Sequence, residues 1–245
     1  MSNGQIFCRV EKKFVISADK RYRLERLMRD RIVPDKYPRG TVCNLYFDTP
    51  DFLMIRNSID AEIYKEKLRL RSYGIPSDDG RVFLELKKKY DGVVYKRRET
   101  MSYVEAKEYI SARKAPMDTQ IMREIDYVMN TYDGLAPAAF LSYEREAFVG
   151  ALDPSLRITF DSDIIYRFDD VSLEGGIYGR RLLLPDTYIM EIKVLGAIPL
   201  WLVRELSACE IYKSSFSKYG TAYKQMISEN NIFDTQIRNS KEILI

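Results

Sequence analysis

Residues 5–16 alternate with period two: Phe7, Arg9, Glu11, Lys13 and Val15 on one side, Cys8, Val10, Lys12, Phe14 and Ile16 on the other. That period places successive side chains on opposite faces of a β-strand. Ser17 follows as a helix N-cap, and Leu24, Leu27 and Met28 form a helical stripe to about residue 31. Residues 41–48 (TVCNLYFD) read as a second strand, and a short helix or turn through 51–60 follows, with Pro50 at its entrance. Three strands come next, at 65–73, 81–89 and 92–100, separated by the turn sequences GIPSDDG and YDG. Residues 103–113 and 118–131 read as helices, 138–149 and 155–163 as strands. The stretch 164–187, with Gly175, Gly176, Gly179 and Pro185, is expected to form a hairpin with a mobile tip. Residues 188–195 are a strand, and 199–208 and 217–230 are helices.

Seven or eight strands with hairpin connections and no βαβ repeat disfavour a mostly parallel sheet. The expected class is α+β: an antiparallel β-barrel with helices packed outside, forming a single domain over residues 1–245.

The strands have one apolar face and one charged face. Leu68 and Leu70, then Val82, Leu84 and Leu86, then Leu156, Ile158 and Phe160 are apolar. Opposite them stand Lys65, Lys67, Arg69 and Arg71; Glu85, Lys87 and Lys89; Tyr95, Arg97 and Glu99; Tyr143 and Arg145; Arg157, Thr159 and Asp161; Glu191 and Lys193. Charged faces of this kind ordinarily meet solvent. Here several helical segments are available to cover the apolar faces, which would turn the charges inward. Arg and Lys also recur at i, i+2 spacing without matching acidic neighbours. Enclosed like charges repel, so such a ring calls for a strongly anionic ligand, and a linear run of phosphates suits it.

Composition narrows the chemistry. The 245 residues contain no histidine, which excludes Ser-His-Asp and Cys-His catalysis and histidine metal ligation. Cys8, Cys43 and Cys209 are far apart and odd in number, with no zinc spacing and no disulfide framework, as expected of a reducing compartment. The N-terminus lacks a signal-peptide core, and no apolar run approaches the ~18 residues of a membrane span, so a soluble, cytoplasmic protein is expected. Net charge is +3, but residues 1–100 hold 23 basic and 15 acidic side chains, an excess of eight positive charges. A duplex does not fit a small barrel, so nucleic acid is not an expected partner.

The ordered motifs resemble a known family. They are Arg9-x-Glu11-x-Lys13, Tyr46-Phe47-Asp48, Arg69-x-Arg71, Glu85-x-Lys87 and Lys96-Arg97-Arg98-Glu99, then Tyr143-x-Arg145, Arg157-x-Thr159-x-Asp161, Met190-Glu191-x-Lys193, Pro199-x-Trp201 and Ser215-Phe216-Ser217-Lys218-Tyr219. In this order and spacing, over about residues 6–228, they resemble the VTC domain, the catalytic domain of the vacuolar transporter chaperone complex. That domain belongs to the triphosphate tunnel metalloenzymes and is related to CYTH phosphatases. The resemblance implies an antiparallel β tunnel and a polyphosphate polymerase. Its partners are ATP and inorganic polyphosphate, and Mn²⁺ or Mg²⁺ is its cofactor.

Carried over position by position, the tunnel residues are Lys13, Arg69, Arg71, Lys87, Arg145, Arg157 and Lys218, and the metal-binding glutamate is Glu191. Lys193 and Ser217 are further candidate phosphate contacts. The basic group of the third hairpin is Lys96, Arg97 or Arg98, and face alternation with Tyr95 and Glu99 favours Arg97. CYTH members open with Glu-x-Glu-x-Lys; Arg9 stands at the first glutamate here, against a simple triphosphatase. The chain length leaves no room for the SPX domain and membrane segments of eukaryotic relatives. The alternatives are a triphosphatase acting on inorganic triphosphate or a nucleoside triphosphate, and a non-catalytic polyphosphate-binding module.

Overall fold

The computed structural model describes residues 9–60, 63–91 and 93–229. Residues 5–8 of the expected first strand, Cys8 among them, lie outside these, as do residue 92 at the head of the third hairpin strand and residue 230.

In chain order the elements are β1 (Arg9–Ser17), α1 (Ala18–Met28), β2 (Ile32–Asp48), α2 (Leu53–Asp60), β3 (Tyr64–Tyr73), β4 (Arg81–Tyr90), β5 (Val93–Ser102), α3 (Tyr103–Ala112), α4 (Gln120–Thr131), β6 (Ala136–Gly150), β7 (Arg157–Arg167), β8 (Arg180–Arg181), β9 (Thr187–Leu195) and α5 (Leu200–Ala208). A last helix, α6, runs through 218–229. The nine strands form one sheet, paired in the order β1-β9-β7-β6-β2-β3-β4-β5, with β8 beside β7. The fold is therefore α+β, an antiparallel sheet with flanking helices. Closure into a barrel is not seen: among the described residues the path of paired strands is open, from β1 to β5. On the side of β1 away from β9, the Ser214 backbone N–H donates to the Lys13 carbonyl at 2.8 Å.

Two compact units divide the chain. The first comprises 1–42, 142–165 and 183–216. Here Phe14 and Ile16 of β1, Ile158 and Phe160 of β7, and Met190 and Ile192 of β9 form a core with Leu24 and Met28 of α1 and Leu202 and Leu206 of α5. Each buried aliphatic or aromatic side chain of this kind contributes about 1.5–3 kcal/mol. Ser17 caps α1, its side chain accepting from the Lys20 N–H. Because the even-numbered residues of β1 and β9 face this core, the odd-numbered Glu11, Lys13, Glu191 and Lys193 share the opposite face.

The second unit comprises 43–141, 166–182 and 217–245. Leu68 and Leu70 of β3, Val82, Leu84 and Leu86 of β4, and Met101 of β5 pack with Ala106 and Tyr109 of α3 and Met122, Ile125, Val128 and Met129 of α4. Ser102 and Glu105 make a reciprocal capping box at α3, and Thr119 caps α4. Registers Arg69↔Glu85 and Glu85↔Arg98 put the charged residues on the face away from this core.

Some boundaries differ from the sequence expectation. β2 begins at Ile32 rather than 41, running through Pro34 and Pro38. The expected hairpin after β7 is reduced to the two residues of β8. The preceding loop is gathered by Arg167, which donates to the carbonyls of Asp170 (2.9 Å), Ser172 (2.9 Å), Gly176 (3.0 Å) and Tyr178 (3.0 Å). Cys43 and Cys209 are buried. No helix among the described residues is long and apolar enough to cross a membrane.

Candidate functional site

The second unit carries a ladder of cations across β3, β4 and β5. One cross-strand row is Lys67, Lys87 and Lys96; the next is Arg69, Glu85 and Arg98. Like charges directly opposite one another destabilise a sheet, so a row of three lysines favours a bound anion. Glu85, 1% exposed, is the centre of this ladder. Its Oε2 accepts from Arg69 Nε (2.9 Å) and lies 2.7 Å from Arg69 Nη2, with Arg71 Nε at 3.9 Å. Its Oε1 is 2.7 Å from Lys96 Nζ and accepts from Arg98 Nε at 2.7 Å. Burial alone would raise the Glu85 pKa; Arg69, Arg71 and Lys96 outweigh it and hold the carboxyl well below the usual range. Burial, with repulsion from Arg98 and Arg69, lowers Lys96 to about 8 despite its pairing with Glu85.

Polar neighbours orient this cluster. Arg69 Nη1 donates to the Tyr46 hydroxyl (3.1 Å), and Arg71 Nε donates to Asn44 Oδ1 (3.1 Å). Tyr46 stacks on Tyr219 of α6 at 4.8 Å between centroids, and Tyr219 donates to buried Asp48 (2.9 Å). Asp48 in turn accepts from the Met54 and Ile55 N–H groups at the start of α2 (2.8 and 3.0 Å). Lys67 Nζ donates to Ser217 Oγ (2.9 Å), and the same oxygen accepts from the Gly220 N–H (3.2 Å), so the residue that caps α6 also meets a lysine of the ladder. Lys218 is the first residue of that helix.

The first unit carries a different arrangement. Lys13 Nζ lies 3.7 Å from Glu11 and 3.5 Å from Glu191; Lys193 Nζ lies 3.8 Å from Glu11 and 3.1 Å from Glu191. Two carboxylates and two ammonium groups thus alternate in a square. Arg145 grips Asp161, which is fully buried, with two parallel bonds of 2.6 and 2.8 Å. Burial opposes the Arg145 charge, but Tyr143, Asp161 and Glu191 together hold its pKa well above the ordinary value. Arg157 Nη2 pairs with Asp35 at 2.9 Å, while its buried Nε has no partner; nor has the buried hydroxyl of Thr159, directly across the ladder from Glu191. Buried polar atoms of this kind are normally satisfied, and a ligand oxygen would satisfy both.

A model of the VTC domain family matches residues 8–227. The chain belongs to the VTC domain family. It is 26% identical over 222 residues to the vacuolar transporter chaperone complex subunit 4 of Trypanosoma cruzi, an alignment covering 73% of this chain and 27% of that protein. The chain therefore spans about a quarter of the length of this curated relative. Among solved structures, the fold is similar to a candidate adenylate cyclase from Bacillus halodurans, with a TM-score of 0.52, 16% identity, and 85% of this chain and 93% of that one covered. It is also similar to a candidate adenylyl cyclase from Hippeastrum described as having a dominant triphosphatase activity, with a TM-score of 0.50, 14% identity, and 89% and 96% covered.

The VTC-domain positions expected from the sequence fall as follows. Arg69, Arg71 and Lys87 share the ladder face in the second unit, where Ser217 and Lys218 also lie. Lys13, Glu191 and Lys193 meet in the first unit, where Arg145 and Arg157 also lie. Arg97 is the exception. The register Leu86↔Arg97 puts it on the face of the apolar core, where Nε pairs with Glu124 of α4 at 3.0 Å. Lys96 and Arg98 take the position assigned to it. Met101 carried the correcting signal: an apolar residue at the end of β5 marks the odd-numbered positions as the core side. Glu85, Lys67, Asn44 and Thr159 were given no role from the sequence. Nor are most of the mapped cations unmatched, as the sequence suggested: Glu85, Asp161, Asp35 and the Glu11–Glu191 pair each claim a share.

Among the described residues no three acidic or thiol side chains gather as a ready-made metal site. The donor set still fits a small hard cation. Glu11 and Glu191 are linked through shared lysines, and such ions are commonly held by one or two carboxylates with phosphate and water completing the shell.

Proposed function

We propose that this VTC-family chain is an ATP–polyphosphate phosphotransferase, lengthening inorganic polyphosphate with the γ-phosphoryl group of ATP. The observation that carries this reading is the β3–β4–β5 ladder: four cations around one buried carboxylate, one of them Lys96, which stands in a cross-strand row with Lys67 and Lys87. Guanidinium and ammonium groups repeated at strand spacing suit repeated phosphate oxygens and offer little to an uncharged substrate.

Phosphoryl transfer asks the protein for alignment and charge neutralisation rather than covalent help. Arg69, Arg71, Lys87, Lys96 and Arg98, with Lys13, Arg145, Arg157, Lys193, Ser217 and Lys218, serve as phosphate contacts. The terminal oxygen of the acceptor chain attacks the γ-phosphorus. The bond from that phosphorus to the β–γ bridging oxygen breaks, and ADP leaves. The acceptor oxygen is already ionised near neutral pH, so no general base is required, in keeping with a chain lacking histidine. Glu191, with Glu11, would hold a Mn²⁺ or Mg²⁺ ion, which supplies neutralisation of phosphate oxygens. Lys13 and Lys193, which now share these carboxylates, then turn to phosphate.

Incubation with ATP and Mn²⁺, with products resolved on a gel, tests the reading. A ladder of polyphosphate with equimolar ADP per added phosphate is the expected result. Release of inorganic phosphate without a ladder would replace it with hydrolysis.

A further inference from the structure

Glu85 contacts no phosphate in this scheme, and a carboxylate at the centre of an anion site needs a reason. It is buried at the middle of β4, and its two oxygens are divided between neighbouring strands: Oε2 takes Arg69 from β3, Oε1 takes Lys96 and Arg98 from β5. We propose that Glu85 is a positioning residue for polyphosphate binding, an internal counter-anion that fixes Arg69, Lys96 and Arg98 at one level of the ladder before the ligand arrives. The proposal rests on the phosphate-binding function above.

Two effects oppose each other. The carboxylate repels an incoming phosphate. It also removes, in advance, the rotamer freedom that three long side chains would lose on clamping a ligand. Glu85 is one carboxylate among four cations, so its repulsion of a phosphate is set against the order it imposes on them. Arg69 shows the consequence: with Nε and Nη2 on Glu85 and Nη1 on Tyr46, its guanidinium plane is fixed by two groups that never leave the site.

Lys96 reports on this arrangement. It faces Glu85 and Lys87 of β4, Arg69 and Arg71 of β3, and Arg98 of its own strand. Glu85 raises its pKa against the pull of the others. NMR titration of the Lys96 side chain in ligand-free protein should give a midpoint near 8 in the parent and a lower one in Glu85→Gln. Calorimetry at pH 7 should show tripolyphosphate binding Glu85→Gln about tenfold more weakly, despite the added positive charge. Glu85→Asp keeps the charge and withdraws the oxygens by one methylene. It should leave the Lys96 midpoint near that of the parent and still weaken binding several-fold.

Equal or tighter binding by Glu85→Gln would overturn the proposal, since the carboxylate would then be only an electrostatic cost. Should Glu85→Gln not fold, unchanged affinity in Glu85→Asp overturns it instead. A parent protein that does not bind tripolyphosphate removes the proposed function. An unchanged Lys96 midpoint in Glu85→Gln, by contrast, removes the counter-anion whatever the ligand.

Discussion

The Glu85 ladder and the Glu11–Glu191 square are built from the same residue types and are prepared for different events. In the ladder one carboxylate faces four cations. In the square two carboxylates face two lysines, and beside it Arg145 and Asp161 neutralise each other in a bidentate pair. In the proposed reaction the square would take a cation on Glu11 and Glu191 and an anion on Lys13 and Lys193 together. The difference follows from strand register: in the ladder arginine stands opposite glutamate on both sides, whereas between β1 and β9 glutamate and lysine alternate.

The contrast is sharpest in stability. Arg145→Ala removes both parallel bonds from the charged, fully buried Asp161 and should cost about 3–5 kcal/mol. Arg69→Ala leaves Glu85 with Arg71, Lys96 and Arg98 and should cost about 1 kcal/mol. Calorimetric melting of both variants checks this, and equal losses would erase the distinction between the bidentate Arg145–Asp161 pair and the shared Glu85 hub. In activity, Glu191→Gln should lower metal-dependent turnover by at least about a hundredfold while leaving metal-free tripolyphosphate binding within a few-fold. Normal Mn²⁺-dependent turnover would take Glu191 out of the reaction.

Arg71→Ala should lower turnover by about thirtyfold or more, from one lost charge-assisted contact of ~2 kcal/mol. It should also cost about 1 kcal/mol of ligand-free stability, because Asn44 Oδ1 loses its donor. Arg71→Lys should recover little of either.

The smallest effect is on pH. The ligand-free fold carries a penalty for charging Lys96 below about pH 8, which lifts as pH rises from there toward the ordinary lysine value. A bound phosphate chain prefers the charged form, so tripolyphosphate affinity should fall by up to about tenfold between pH 7 and pH 9. Lys96→Met should flatten that profile. Glu85 has its opposite in acid: its depressed pKa stabilises the fold above the ordinary carboxylate value, and that contribution fades as pH falls below it.

Much of this molecule was legible in the chain. Period two in β1, β3, β4, β7 and β9 separated Leu68 and Leu70 from Arg69 and Arg71, and Met190 and Ile192 from Glu191 and Lys193, because a strand allows a side chain only two directions. The α+β class, the helices and the succession of motifs that marks the VTC domain needed no coordinates. Arg97 shows where this reading stopped. In an exposed edge strand both faces are polar, so parity alone does not name the inner one, and the register with β4 chose Lys96 and Arg98. Whether the sheet closes was likewise undetermined, since pairing between sequence-distant strands leaves no local period. The partners of the cations were also a tertiary matter: nothing in the spacing of Glu85, Asp161 and Asp35 says that they meet Arg69, Arg145 and Arg157. Residue type and period determined which face is charged; the tertiary structure decided which of those charges meet, because a salt bridge depends on a few ångströms between residues far apart in the chain.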